Sequence, residues 1–227
     1  MHQFDFGVIF TSFPYLMQGM WLTVQLSALA IVLGLALGVL LALMRMSPYR
    51  VISAPAAAYV NLMRSIPLLL VIFWFYFLVP YIGAWIIGSP QPIQVGAFRS
   101  ALVSFTLFEA AYFCEIVRAG IRSLPRGQIF AAKALGLSYR QTMFNVVLPQ
   151  ALRNMTPSLL TRAIVIFQDT SLVYVVALTD FLGAASKVGQ RDGRLIELYT
   201  FVAIVYLVLC FLASWSVKRL ERRLKSA

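Results

Sequence analysis

Between Met20 and Met44 the sequence runs for 25 residues without a single charged side chain. About 20 consecutive apolar residues are enough for an α-helix to cross the hydrocarbon core of a bilayer. The whole composition agrees, because 61% of the residues are hydrophobic and 12% are charged, whereas a soluble domain carries about 25% charged residues. The sequence therefore predicts an integral membrane protein.

Several further segments of this kind predict an all-α membrane fold with five transmembrane helices. The expected spans lie at about residues 20–44, 55–80, 100–124, 151–178 and 198–217. Small residues recur every four positions in the first span, a spacing that lets two helices approach closely in lipid. They are Ala30, Gly34, Gly38 and Ala42. Residues 1–227 are expected to form one transmembrane domain, with loops at 81–98, 125–150 and 179–194.

The distribution of Lys and Arg predicts how the chain is oriented. If the N-terminus is outside, the cytoplasmic segments contain 13 of these residues and the external segments contain four. Basic residues concentrate in the cytoplasmic loops of membrane proteins, so we expect an N-out, C-in multi-pass protein of the bacterial inner membrane. The same rule accounts for the net charge of +11 without any binding of nucleic acid.

The chain lacks the residue patterns that most catalytic and metal sites require. Its one histidine is His2, and its two cysteines, Cys114 and Cys210, stand alone in apolar runs. The sequence also lacks a glycine-rich phosphate-binding loop of the G-x-x-x-x-G-K-[ST] type. We therefore expect no enzymatic activity, metal or cofactor in this chain, and any ATP that drives it must be hydrolysed by another subunit.

The predicted cytoplasmic loop has the signals of two short helices. Residues 128–135 are good helix formers, and Gly136 is placed to end that helix in the left-handed conformation. Ser138 and Gln141 have the spacing of a capping box that opens a second helix. The loop is thus expected to form a compact helical projection on the cytoplasmic side.

This loop resembles the cytoplasmic loop of permease subunits in ATP-binding-cassette importers, whose motif is E-A-A-x(3)-G-x(9)-I-x-L-P. Phe130 stands in place of the glutamate and Val146 in place of the isoleucine. The other motif positions match at the same spacing, and they are Ala131, Ala132, Gly136, Leu148 and Pro149. The resemblance implies that these residues couple the spans to an ATPase.

Strings elsewhere in the chain resemble the polar amino-acid branch of these permeases. They include Arg64-Ser65-Ile66-Pro67, Glu109-Ala110-Ala111-Tyr112 and Leu148-Pro149-Gln150-Ala151. Within that branch the chain most resembles the glutamate/aspartate permeases, through the strings Phe167-Gln168-Asp169-Thr170-Ser171-Leu172-Val173-Tyr174 and Arg191-Asp192-Gly193.

The resemblance implies import of polar amino acids, glutamate and aspartate first, by alternating access. It also implies three partners: an ATP-binding-cassette ATPase, a second permease that is identical or homologous, and a periplasmic amino-acid-binding protein. Alternatives are a permease for a neutral or basic amino acid, or a self-contained channel or secondary transporter. An intramembrane enzyme is disfavoured by the missing catalytic residues.

Charged residues inside the predicted spans are candidates for the transport pathway. Asp169 lies in an otherwise uncharged run and is followed by Thr170 and Ser171. A carboxylate in mid-membrane needs a partner or a wet cavity. Asp169 therefore either pairs with Arg162 or Arg64, or interrupts the helix and lines the pathway together with the two hydroxyl residues.

A second charged group lies near the cytoplasmic end of the third span. Glu115, Arg118 and Arg122 share one helix face, which indicates either a gate or a salt-bridge brace. Arg64, next to Ser65-Ile66-Pro67, has a guanidinium that can bind a carboxylate through two hydrogen bonds. The alternative for Arg64 is a side chain that extends to the membrane interface.

Overall fold

The computed structural model describes residues 6–226, and these residues fold almost entirely into helices. The α-helices are α1 (Gly7–Thr11), α2 (Phe13–Met46), α3 (Arg50–Arg64), α4 (Leu68–Phe73), α5 (Val79–Ile87), α6 (Ala97–Arg122), α7 (Arg126–Ala134), α8 (Tyr139–Thr142), α9 (Leu148–Asp169), α10 (Phe181–Asp192) and α11 (Leu195–Ser226). Two π-helical turns, Trp74–Leu78 and Met143–Val147, join α4 to α5 and α8 to α9, and a 3₁₀ turn, Thr170–Val176, follows α9.

Within residues 6–226, five continuous helical stretches are long and apolar enough to cross a membrane, which confirms the predicted number of spans. They are Phe13–Met46, Leu68–Ile87, Ala97–Arg122, Tyr139–Val176 and Leu195–Leu224. The third of them, α6, is the central helix, because the share of buried residues in its most apolar stretch is larger than in any of the other four spans. Helices α2, α3, α4 and α9 pack around it.

The stripe of small residues on α2 lets this helix lie close against α6. All four residues of the stripe are buried. A Cβ atom added at Gly38 would lie 2.6 Å from the Cβ of Phe113 and 3.0 Å from the carbonyl oxygen of Ala110. The stripe is therefore occupied by packing within the chain.

A larger side chain at Gly38 should separate these two helices. Gly38→Leu is expected to lower the stability of the purified protein by about 1–3 kcal/mol, the usual effect of overpacking a dense interior. Ala36→Leu is the matched control, because Ala36 is exposed on the same helix. Thermal unfolding in detergent measures the effect, and equal melting temperatures for the two variants would contradict this packing.

The second span differs from the one predicted at residues 55–80. Helix α3 ends at Arg64, and the membrane-crossing stretch begins at Leu68 and continues to Ile87. The break has a local cause, because Pro67 has no N–H group and disfavours helical geometry in the residue before it. The loop expected at 81–98 is shorter as well, since the helix continues to Ile87.

The polar segment 179–194, predicted as a loop, contains a helix instead. Asp180 caps α10 by accepting hydrogen bonds from the N–H groups of Leu182 (3.2 Å) and Gly183 (2.9 Å). Thr23 of α2 accepts a further hydrogen bond from the N–H of Phe181 (3.0 Å). Burial raises the pKa of Asp180 to about 6. Small residues on α10 then let it pack against α2 and α11, so the local cap at Asp180 and contacts with distant helices together stabilise α10.

The fourth span also begins earlier than the predicted residue 151. Helix α8, the π-helical turn and α9 form one continuous stretch that begins at Tyr139. The second half of the predicted loop 125–150 is therefore the cytoplasmic end of this span. Only residues 123–138 connect it to α6.

Candidate functional site

The cytoplasmic projection has the geometry that its sequence predicts. Helix α7 ends in a left-handed Gly136 with a φ angle of 76°, and the N–H of Leu137 donates to the carbonyl of Ala132 (3.1 Å). Ser138 then caps α8: its hydroxyl accepts from the N–H of Gln141 (3.4 Å), and the Gln141 side chain accepts from the N–H of Ser138 (2.9 Å). Both the glycine stop and the capping box are thus present.

The outer surface of this projection is rich in exposed apolar side chains. Phe130 is 63% exposed, Leu135 81%, Tyr139 74% and Phe144 61%. Soluble surfaces seldom expose so many large apolar groups together unless a partner covers them. We define these four residues as the apolar patch.

The remaining motif residues of the projection have different environments. Ala131 is exposed, whereas Ala132 is 3% exposed. The Ala131 side chain can therefore face a partner directly, whereas the Ala132 side chain is covered by this chain. Leu148 is half-buried and Pro149 is exposed, directly after the π-helical turn. A wider turn at this point accommodates the missing N–H of proline.

A buried ion pair joins α6 to α9 in the middle of the membrane domain. Glu109 is fully buried, and both of its carboxylate oxygens accept hydrogen bonds from Arg162, at 2.6 and 2.7 Å. The Arg162 guanidinium also lies 3.8 Å from the centre of the Tyr112 ring, which adds a cation–π contact. This arrangement fixes the rotation of α9 against α6.

This pair changes the interpretation of Asp169. The two arginines proposed as its partners, Arg162 and Arg64, form their salt bridges with Glu109 and Glu115. Among residues 6–226, no salt bridge reaches Asp169. Helix α9 ends at Asp169, where the 3₁₀ turn begins, so the helix does change its geometry at this carboxylate. The hydroxyls of Thr170 and Ser171 donate to carbonyl oxygens one turn earlier, at 2.7 and 2.8 Å.

A second carboxylate, Glu115, holds three helices together near the cytoplasmic side. It forms salt bridges with Arg45 at the end of α2 and with Arg118 of α6. Arg64, at the end of α3, lies 3.4 Å from the same carboxylate. The structure thus brings together three of the charged residues singled out in the sequence. Arg122 is exposed and has no salt bridge within the described part of the chain.

The two ion-pair groups form one electropositive cluster among helices α2, α3, α6 and α9. Four guanidinium groups surround two carboxylates, which gives a net charge of +2, or +1 when Asp169 is included. The members are Arg45, Arg64, Arg118, Arg162, Glu109 and Glu115. Tyr112 connects its two halves, because the Arg64 guanidinium also lies 5.7 Å from the ring centre. A cluster of this sign attracts an anion.

A polar groove lies on the outer face of α6 and α9. It consists of two adjoining cavities of about 400 and 420 Å³ that share Ile116 and Ser158. Arg162 and Thr161 line one cavity, and Glu115 lines the other. Charged and polar side chains at this depth rarely face lipid and commonly line a protein contact or a water-filled path.

No functional role could be assigned from the sequence alone to Glu109 and Arg45 of this cluster, or to Tyr112 beside it. In the sequence Glu109 stands out as a charged residue of the third predicted span and as part of a motif string, but with no assigned partner. Its position near the middle of an apolar span indicates a cationic partner, because a buried carboxylate needs a positive charge to neutralise it. Which cation it contacts depends on how α6 and α9 are packed, and this information is absent from either segment alone.

The five spans, the polar groove and the cytoplasmic projection define a multi-pass transport permease. Residues 34–226 match the family described as the binding-protein-dependent transport system inner membrane component. The chain belongs to this family, which consists of transport permeases and not of enzymes. The inner-membrane location and the resemblance to importer permeases are confirmed.

Relatives and solved structures agree over nearly the full chain. The glutamate/aspartate import permease protein GltK of Escherichia coli O157:H7 is 46% identical over 223 residues, 98% of this chain and 99% of that protein. The probable glutamine ABC transporter permease protein GlnM of Bacillus subtilis is 33% identical, covering 97% of this chain and 98% of that protein.

Among solved structures, an amino acid ABC transporter crystallised with histidines has a TM-score of 0.87 at 29% identity, covering 97% of this chain and 99% of that one. A chain of the MetNI methionine ABC transporter in an inward-facing conformation has a TM-score of 0.69 at 22% identity, with 94% of this chain and 98% of that chain covered. The second likeness concerns the fold alone.

Proposed function

We propose that this chain is the transmembrane subunit of an ATP-binding-cassette importer that carries glutamate and aspartate into the cytoplasm. The observation that carries the substrate assignment is the net positive cluster among α2, α3, α6 and α9, which suits a dicarboxylate amino acid. The relative named as a glutamate/aspartate import permease, 46% identical over nearly the whole chain, supports the same assignment.

Arg64 is the member of the cluster best placed to meet a substrate carboxylate. Its side chain is 42% exposed, against 15% for Arg45 and 24% for Arg118. Those two arginines also contact the Glu115 carboxylate more closely than Arg64 does. The Arg64 guanidinium therefore keeps donors for an incoming carboxylate, which it can bind through two hydrogen bonds.

The polar groove on α6 and α9 is the half of the pathway that this chain supplies. A second permease, identical or homologous, covers it and completes an aqueous route between the two subunits. In this role Glu115 is a cytoplasmic brace that joins α2, α3 and α6 while the route is closed on that side. Asp169, Thr170 and Ser171 lie at the other end of α9, where the helix changes to a 3₁₀ turn.

The cytoplasmic and the periplasmic side of the molecule each bind a different partner. The ATPase subunit docks on the cytoplasmic projection, with Phe130 and the rest of the apolar patch filling a groove in its surface, a common mode of helix recognition. The ATPase hydrolyses ATP, and its closure is passed through α7 and α8 to the spans as a rigid-body movement. A periplasmic amino-acid-binding protein delivers the substrate to the opposite side.

Removal of the Arg64 guanidinium tests the substrate assignment. Arg64→Gln is expected to raise the KM for glutamate and aspartate uptake by about 10- to 100-fold, the range for losing a charge-assisted hydrogen bond. Expression should be unchanged, because the side chain is partly exposed. Arg99→Gln is the control, because Arg99 lies near the N-terminal end of α6, whereas Glu115, the salt-bridge partner of Arg64, lies near the C-terminal end of that helix. Better uptake of neutral or basic amino acids by the unaltered protein would contradict the assignment.

Reporter fusions test the orientation inferred from the basic residues. A reporter after Ala227 should be cytoplasmic, and a reporter inserted at Pro90 should be periplasmic, because residues 88–96 connect the second and third spans. Alkaline phosphatase and green fluorescent protein activities measure the two locations. Finding both positions on one side of the membrane would contradict the five-span topology.

A further inference from the structure

An apolar groove separate from the polar one lies between α9 and α11. Its volume is about 550 Å³, and its lining is almost entirely apolar. Leu160, Ile164 and Phe167 form one wall, and Leu209, Ala213 and Leu220 form the other. The groove is open to the surface of the chain, and an apolar surface of this kind on a membrane-spanning helix is covered by lipid or by another protein chain.

The length of the groove indicates the kind of occupant. Its wall on α11 runs from Leu209 to Leu220, which is about 16 Å along a helix that rises 1.5 Å per residue. One leaflet of the hydrocarbon core is about 15 Å thick. An acyl chain of one leaflet fits this length, whereas a transmembrane helix that lay parallel to the groove along its whole span would need a groove about twice as long.

Positive charge lies directly below the cytoplasmic end of this groove. Arg153 precedes Leu160 by seven residues on α9, and Arg223 follows Leu220 by three residues on α11, so both lie on the helix faces that line the groove. The same turns of α11 contain Lys218, Arg219 and Arg222, with Glu221 as the one acidic residue from 218 to 223. The headgroup region here is thus strongly cationic.

An aromatic residue marks the same level of the membrane. Trp215 lies on α11 one turn above these basic residues, and the Arg219 guanidinium lies 5.5 Å from the centre of its ring. Tryptophan is enriched where helices pass from the hydrocarbon core into the headgroup layer. This position agrees with the depth inferred from the length of the groove.

We propose that this groove is a binding site for an anionic phospholipid of the cytoplasmic leaflet. One acyl chain lies between α9 and α11, and the phosphate lies against the arginines below. Because α9 continues from the cytoplasmic projection through α8, a lipid bound here contacts the same helix that transmits the movement of the ATPase.

Native mass spectrometry of the purified transporter complex tests this site. Dioleoyl phosphatidylglycerol should be retained in preference to dioleoyl phosphatidylethanolamine by about tenfold or more, since basic residues near a membrane surface each favour anionic lipid. Ala213→Trp fills the groove and should abolish this preference, and Ser216→Phe should reduce it. Leu207→Trp is the control, because Leu207 is exposed on the same helix outside the groove.

Charge variants address the headgroup separately. Arg153→Gln combined with Arg223→Gln should reduce the preference for phosphatidylglycerol about tenfold, whereas Arg50→Gln should not. Equal retention of both lipids by the unaltered complex would overturn the proposal, as would unchanged retention in Ala213→Trp. Loss of the second permease from the Ala213→Trp complex, with lipid retention unchanged, would show instead that a protein subunit covers the groove.

Discussion

Glu109→Ala is expected to be the most destabilising single substitution in the spans. It leaves the Arg162 guanidinium, whose side chain is 15% exposed, without the carboxylate that neutralises it. Removal of one partner from a buried ion pair destabilises a protein by about 3–5 kcal/mol. We expect little protein in the membrane and a sharp fall in the melting temperature of what is recovered, measured by fluorescence size-exclusion chromatography after heating.

Two further variants separate the ion pair from other causes of instability. The double change Glu109→Leu with Arg162→Met removes both charges and should restore much of the lost stability, because apolar replacements of a whole buried pair are often neutral. Asp169→Asn should have a small effect on stability, since Asp169 has no salt bridge among residues 6–226. A loss in Asp169→Asn equal to that in Glu109→Ala would contradict this assignment of partners.

Gly136→Leu is expected to uncouple the permease from its ATPase while the spans still fold. The left-handed backbone at this position costs a residue with a side chain about 1–2 kcal/mol. The turn between α7 and α8 is therefore expected to change shape. A Cβ atom at Gly136 would meet nothing within 4 Å, so the rest of this chain should pack normally. Co-purification of the ATPase and substrate-stimulated ATP hydrolysis should both fall sharply.

The chain offers a matched control for this variant. Gly88 also has a positive φ angle, 70°, and open space around it, but it lies on the predicted periplasmic side. Gly88→Leu should carry a similar backbone strain and leave ATPase docking intact. Phe130→Asp should weaken docking with little loss of stability, because Phe130 is 63% exposed. Ala132→Asp is unsuitable as an interface test, since Ala132 is buried within this chain. Normal coupling in both Gly136→Leu and Phe130→Asp would exclude the projection as the transmitting element.

The features that the sequence predicted correctly depend on short-range signals. An uncharged run is sufficient to identify a span, because the requirement of the bilayer is local in the chain. The end of α7 at Gly136 and the cap of α8 at Ser138 likewise depend on residues within three or four positions of each other. The same holds for the small-residue stripe of α2, whose spacing alone indicates a close helix contact.

The features that were missed depend on contacts between distant segments. Glu109 and Arg162 are 53 residues apart, and Arg45 and Glu115 are 70 residues apart. Their pairing is decided by how the helices rotate against one another. Helix α10 was predicted as a loop because its polar and glycine residues suggest one, whereas a buried cap at Asp180 and packing against α2 stabilise a helix. The predicted second span, residues 55–80, differs from the observed one, Leu68–Ile87, because the prediction placed the break at Pro67 inside the span, whereas the span begins after it.

Uptake by reconstituted proteoliposomes tests the central claim most directly. The purified permease pair and its ATPase are inserted into vesicles, with ATP on the ATPase side and the binding protein with labelled glutamate on the other. We expect uptake only when both ATP and the binding protein are present, with inhibition by unlabelled aspartate and little inhibition by glutamine or arginine. Uptake that continues without ATP or without the binding protein, or an absence of glutamate and aspartate uptake in the complete system, would contradict the account.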